Sequence, residues 1–187
     1  MPSEQSRFRK HSDEIVHSWA IADLVRRTVE GPQGQLFERT FTATPGAVAA
    51  VALHDDGRVV LVSQYRASVD DEVIELPAGM RDVKDEPPLE TAQRELIEEA
   101  GYLASEWAHL GRCMSSPGVT NSLVEIYLAK GLTQVEAEPH GPEEDAMMVL
   151  EPSLQEALFM IERGEIVDSK TVMGLLLAAR LHPHLAT

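Results

Sequence analysis

The sequence predicts one domain that mixes helices with strands, α/β or α+β in class, preceded by an arm rich in strands. Three observations predict it. Apolar runs, one rich in β-branched residues, alternate with turn signals from about residue 14 to residue 80. The stretch after the Pro87-Pro88 pair spaces its apolar residues as a helix does. Two further helical stretches follow Ser153. A chain of 187 residues is long enough for a real core.

Residues 1–12 are polar and expected to be mobile. From Glu14 to Thr44 the pattern is extended, broken by the turn "EGPQG" at 30–34. Residues 1–44 therefore read as an arm, and 45–187 as the main domain. "GAVAAVAL" and "VVLVSQY" are strands joined through Asp56-Gly57, a strong hairpin signal. "EVIELPAGM" is a short strand ended by Pro77 and Gly79. A helix is expected over about 88–100, because proline is tolerated near a helix start and Gly101 suits the position just past the end. Leu89, Leu96, Ile97 and Ala100 form its buried stripe, and Glu95, Glu98 and Glu99 lie on the far side. Strands follow around 105–113, 123–129 and 146–151. Ser153 and Glu156 make a capping box for a helix ending at Gly164. The last helix runs from about Ser169 to Arg180, capped by Asp168 or Ser169, with Pro183 beyond it.

Charge and composition exclude several classes of function. The net charge of −15, from 31 acids and 16 bases, comes with no basic stripe and argues against a nucleic-acid partner. No apolar run approaches the ~18 residues of a membrane span, and "MPSEQSRFRKHSDE" lacks a secretory apolar stretch. The single Cys113 cannot form an intramolecular disulfide and reads as a small buried hydrophobe. The expectation is a cytoplasmic protein. His182 and His184 read as an exposed tail in preference to a metal pair.

The carboxylates of the first helix need a reason. Glu95, Glu98 and Glu99 stand i, i+3 and i+4 apart, and like charges at these spacings cost roughly 0.2–0.5 kcal/mol per pair. On charge alone the face reads as solvated. A divalent cation reverses the energetics, because Mg²⁺ takes carboxylate oxygens and completes its shell with phosphate oxygens and water. Such ions would also let a chain of charge −15 bind an anionic substrate.

From Gly79 the sequence reads "GMRDVKDEPPLETAQRELIEEAGY". This resembles the Nudix box, G-x5-E-x7-R-E-U-x-E-E-x-G-U with U aliphatic. Glu86, Arg94, Glu95, Leu96, Glu98, Glu99 and Gly101 match it. The R-E-x-x-E-E-x-G part alone has chance odds on the order of 10⁻⁴ in such a chain. Two departures stand out: Gly79 lies seven residues before Glu86, one more than the pattern, and Tyr102 fills the last aliphatic slot. "PGAVAAVALHDDGRVVLVSQYR", "ELPAG", Pro117 in "SSPG" and "MIERGEIVDSKTVMGLLLA" extend the resemblance to the ADP-ribose pyrophosphatase branch.

The resemblance implies an α/β/α sandwich around a mixed sheet, with the box at 79–102. It implies a pyrophosphohydrolase using Mg²⁺, or Mn²⁺ in its place, on a nucleoside diphosphate joined to another group, foremost ADP-ribose giving AMP and ribose 5-phosphate. The alternatives are a GDP-mannose or other nucleotide-sugar pyrophosphatase, or a nucleotide-binding sensor that does not cleave. It makes Glu95 and Glu99 principal metal ligands, with Glu98 and the carbonyl of Ala78 beside them. Glu86 and Arg94 form a structural ion pair, and Gly79 and Gly101 shape the loop and the helix end. Arg66 matches a diphosphate contact. The general base comes from "HGPEEDAM", as Glu143 or Glu144, with Asp145 adjacent; Pro142 stands where the base is expected, and Glu98 is the next choice. "GVTNSL" after Pro117 lacks the acid of many relatives. Strands of the arm are expected to exchange in a homodimer, and Phe37, Arg39 and Trp19 are nucleoside contacts by location only.

Overall fold

A computed structural model describes residues 7–138 and 140–185. The chain forms two compact units. The first takes residues up to 46 together with 114–122. Its strands β1 (Arg9–Trp19), β2 (Ala22–Glu30) and β3 (Leu36–Ala43) form an antiparallel sheet in that order. Alternation drives β2, where Val25 is buried while Arg26 points out. Arg27 crosses to Asp13 of β1 with bonds of 2.7 and 2.9 Å. Residues 114–122 join through Thr42, whose N–H donates to the Val119 carbonyl at 2.9 Å, and through Asn121, whose Oδ1 accepts from the Thr44 N–H at 2.8 Å.

The structure corrects the arm in two ways. Residues 9–12 belong to β1 and are not a loose end, because they pair with β2 as far as Arg9↔Glu30; residues 1–6 lie outside the described residues. The extended stretch before Glu30 is also two strands, turned at Ala20 with φ 43°. Alanine rarely takes this left-handed conformation, so the turn carries no sequence signal.

The second unit takes 47–113 and the residues from 123 on. Its strands are β4 (Ala47–Leu53), β5 (Val59–Arg66), β6 (Asp71–Glu75), β7 (Ala78–Met80), β8 (Tyr102–Met114), β9 (Leu123–Gln134) and β10 (Met148–Leu150). Its helices are α1 (Pro88–Ala100), α2 (Pro142–Asp145), α3 (Leu154–Glu162) and α4 (Ser169–Leu181), with a 3₁₀ turn at Pro183–Leu185. The sheet order is β10-β5-β4-β9-β8, with β6 also on β5 and β7 also on β4. It is mixed: β4 runs parallel to β9 and antiparallel to β5 and β7.

Burial on both faces explains the continuous apolar runs of β4 and β5. On one face Ala49, Val51, Leu53, Val59 and Leu61 meet Leu154 and Ala157 of α3 and Leu175 and Ala178 of α4. On the other, Ala52, Val60, Val62 and Ala129 meet Leu96 and Ala100 of α1. This is the expected α/β/α sandwich around a mixed sheet. The hairpin closes as read, with Ala52↔Val60 and Leu53↔Val59 paired across Asp56-Gly57. The α1 bounds and the Asp168 cap of α4 agree with the sequence, and Ser153 accepts from the Glu156 N–H at 3.1 Å.

"EVIELPAGM" is not one strand ended by Gly79. It divides at Leu76-Pro77 into β6 on β5 and β7 on β4, and Gly79 is central in β7. Proline donates no ladder hydrogen bond, which accounts for the change of partner.

Candidate active site

Helix α1 brings the box acids to β7. Pro88 opens the helix with a preset φ, and Gly101 closes it at φ 68°, its N–H donating to the Ile97 carbonyl at 2.9 Å. The sequence pattern sets Glu95, Glu98 and Glu99 away from the buried stripe; the structure leaves Glu98 partly exposed but overturns this for the other two. Leu96 is fully buried, but Glu95 and Glu99 are buried too, at 8% and 9% exposure. The reason is local. The neighbouring strand β7 presents its two small residues, Ala78 and Gly79, so the flank of α1 lies close and its carboxylates settle over the strand. A Cβ on Gly79 would fall 2.1 Å from the Glu95 carboxyl carbon. The Ala78 N–H donates to Glu99 Oε2 at 2.7 Å.

Burial pushes the Glu95 carboxyl up to about 7 and the Glu99 carboxyl up to about 8. Glu144 adds to both shifts, while Arg94 and the Ala78 amide pull the other way. Arg94 is the cation beside the acids. It meets Glu98 at 2.8 Å, Glu95 at 3.0 Å, Asp82 at 3.4 Å and Glu86 at 3.5 Å. The Glu86–Arg94 pair is thus present, and it joins the loop before α1 to the helix.

Arg66 ends β5 and grips Glu75 of β6, Nε to Oε1 at 2.7 Å and Nη2 to Oε2 at 2.9 Å. Glu143, Glu144 and Asp145 lie on α2, a single turn after Gly141. The Glu144 carboxylate accepts from the His140 N–H at 2.5 Å, and the His140 ring nitrogen Nε2 lies 3.3 Å from Glu98. His140 therefore ties the acid turn to α1. Sequence reasoning missed it, although its place three residues before the acid run was a usable signal.

In the first unit, Arg39 and Pro117 line one cavity of about 480 Å³ together with Arg27, Phe41 and Asn121. Phe37 carries the Arg39 guanidinium 4.7 Å from its ring centre. Arg27, which the sequence did not single out, lies 4.8 Å over Phe41. Trp19 is exposed and stacked on His17, and it is not among the residues lining this cavity. Cys113 is half-buried with its thiol pushed up by burial. Tyr102, in the aliphatic slot of the box, is buried and donates its hydroxyl to Glu151.

Among the described residues no three Asp, Glu, His or Cys side chains stand ready as a metal cage. The donor chemistry nevertheless suits a divalent cation. Two buried carboxylates face the same short strand, both shifted toward the protonated form, and hard oxygen donors of this kind hold Mg²⁺.

A NUDIX domain model matches residues 43–172. The chain belongs to the Nudix family. It is a Nudix hydrolase, similar to the ADP-ribose pyrophosphatase of Mycobacterium tuberculosis, 42% identical over 90% of this chain and 82% of that one. The ADP-ribose pyrophosphatase of Bacillus subtilis is 35% identical over 87% of both chains. A GDP-mannose pyrophosphatase of Citrobacter koseri is 35% identical over 70% of this chain and 71% of its own. In fold, the chain is similar to the crystal structure of an ADP compounds hydrolase, with a TM-score of 0.80 at 20% identity, covering 99% of this chain and all of the other. No helix among the described residues is long and apolar enough to cross a membrane.

Proposed function

We propose that this Nudix hydrolase is a Mg²⁺-dependent pyrophosphohydrolase that cleaves ADP-ribose to AMP and ribose 5-phosphate in the cytoplasm. The observation that carries the reading is the pair of buried glutamates over Gly79, whose burial leaves them in need of a cation. The ADP-ribose pyrophosphatases similar to it over most of its length favour that substrate over the alternatives. Glu95 and Glu99 would hold the metal, with Glu98 and the Ala78 carbonyl completing the set; Mn²⁺ suits the same oxygens. When bound, the metal offsets phosphoryl charge and lowers the pKa of attacking water.

The chain's own residues do the rest. Arg66 orients the diphosphate with a planar pair of donors. Arg94 and Glu86 keep the loop at 79–86 against α1. Glu143 or Glu144, on the turn after Gly141, takes the proton from the attacking water, with Glu98 next in reach if neither does. Phe37, Arg39 and Pro117 hold the nucleoside by stacking and hydrogen bonding.

The deciding experiment is turnover of a panel with and without Mg²⁺: ADP-ribose, GDP-mannose, other nucleotide sugars and nucleoside triphosphates. ADP-ribose is expected to give the highest kcat/KM, and only with metal. A GDP-mannose preference would move the reading to the sugar-nucleotide branch, and binding without cleavage would make the domain a sensor.

The same reading includes a homodimer held partly by residues 14–44. Every residue of β1 is exposed at the edge of its sheet, including Ile15 and Trp19, and such edges seek partners. Light scattering at micromolar concentration is expected to give twice the chain mass. A monomer active on ADP-ribose would contradict it.

A further inference from the structure

Glu75 is the third buried glutamate of the second unit, and it is bound very differently from Glu95 and Glu99. Arg66 takes both of its oxygens, at 2.7 and 2.9 Å. Lys170 of α4, 95 residues away in sequence, donates to Oε2 as well. Lys170 also reaches Asp168 at 3.0 Å. Asp168 caps α4, accepting from the Thr171 N–H at 3.0 Å and from its hydroxyl at 2.6 Å. The Thr171 oxygen accepts in turn from the Leu76 N–H at 2.9 Å. The start of α4 thus fixes Glu75 at two points: its carboxylate through Lys170, and the next backbone unit through Thr171. Burial alone would raise the Glu75 carboxyl, but its bonds to Arg66 and Lys170 outweigh this and hold it below the ordinary range.

The grip on Arg66 is one-sided. Nε and Nη2 are engaged, while Nη1 makes no hydrogen bond among the described residues. The side chain remains 41% exposed. A guanidinium has two edges that can each present a pair of N–H donors. Glu75 occupies one and leaves the other, with its plane already set, for an anion. Ordering a long arginine before the substrate arrives removes an entropic cost from binding and from the reaction.

We propose that Glu75 is a positioning residue for Arg66, and that Lys170 holds Glu75 in the orientation this requires. The inference rests on the reading of Arg66 as the diphosphate contact. It adds α4, and a residue far from the box, to the machinery that aims the substrate.

The test is a double-mutant cycle on ADP-ribose turnover with saturating Mg²⁺. Glu75→Gln would leave two cations around a neutral amide and endanger folding, so Lys170 is the better lever. Lys170→Met retains the Asp168 cap. With Arg66 present, it is expected to lower kcat/KM about tenfold, a coupling usual within one ion-pair network. With Arg66→Ala in the background, and with the rate taken per folded enzyme because the double variant leaves buried Glu75 without either cation, it is expected to cost less than about twofold, and Lys170→Arg is expected to restore most of the rate. Equal losses in both backgrounds, or no loss at all, would overturn the positioning role. If Arg66→Ala itself costs nothing, the diphosphate reading fails and takes the positioning role with it. If Arg66→Ala is costly while Lys170→Met is not, only the positioning role fails. A second readout needs no turnover. Hydrogen exchange of the Arg66 Nε proton, followed by NMR, is expected to be slow in the wild type and faster in Lys170→Met. An unchanged rate would overturn the proposal whatever the substrate.

Discussion

Glu75 and the Glu95–Glu99 pair are all buried carboxylates of one unit, yet they are settled in opposite ways. Glu75 has two fixed cations, Arg66 and Lys170, and its carboxyl lies below the ordinary range. Glu95 shares one arginine with three other acids, and Glu99 accepts from a backbone N–H and feels Arg66 only through space, with no ion pair of its own. Their carboxyls rise to about 7 and about 8. A buried charge without a partner costs several kcal/mol, so a fold that served stability alone would not carry this pair. The chain supplies its own counter-charge at Glu75 and supplies none of comparable strength at Glu95 and Glu99.

Removing the unsettled pair should have the largest effect. Glu95→Gln and Glu99→Gln are each expected to lower kcat by roughly 10²-fold or more, since each removes a carboxylate proposed to hold the metal. The same changes should raise the melting temperature of the metal-free protein at pH 8 by ~3 °C or more, because an amide is easier to bury than a carboxylate. Near wild-type turnover in either variant at saturating Mg²⁺ would remove it from the ligand set. Next comes the acid turn. Changing Glu143, Glu144 and Asp145 to amides one at a time should cost at least one variant roughly 10²-fold in kcat, the low end for loss of a general base. Losses below about tenfold in all three would move the base to Glu98.

The two carboxylate sites also make opposite contributions to stability as pH changes. Glu95 and Glu99 have folded values above the ordinary 4.5. Between about pH 4.5 and 8 the native state therefore holds protons that the unfolded chain has released, so this pair lowers stability as pH rises through that window. Glu75 lies below 4.5, so its contribution is present above that value and is lost as pH falls below it. Metal-free denaturant melts from pH 5 to 8 should show a decline that Glu95→Gln/Glu99→Gln abolishes. A flat profile in the wild type would mean that the pair is better solvated than its burial implies.

Much of this is legible in the sequence. Pro88 and Gly101 bound α1 because each fits one end of a helix and not the middle. Asp56-Gly57 gave the β4–β5 hairpin because its turn chemistry is local. What stayed hidden depends on contacts distant in sequence or on exceptions to local preference. Nothing near Glu75 announces Lys170, and nothing near Ala20 announces a turn. The inward tilt of Glu95 follows from the missing side chain of Gly79 on another element, whereas a charged residue read alone is placed outside. The acid box was visible as a pattern, but its burial was not.

Proton release on metal binding tests the comparison most directly. Mg²⁺ can be titrated into the wild-type protein at pH 7 by calorimetry in two buffers of different ionisation enthalpy. A carboxyl at about 7 is half protonated there and one at about 8 mostly so, and a cation that takes the place of those protons must expel them. The expected result is release of on the order of one proton per protein chain at pH 7, declining by pH 9 and absent in Glu95→Gln/Glu99→Gln. Mg²⁺ binding with no proton release at pH 7, or with the same release in the double variant, would contradict the assignment of Glu95 and Glu99 as the buried acids awaiting a cation.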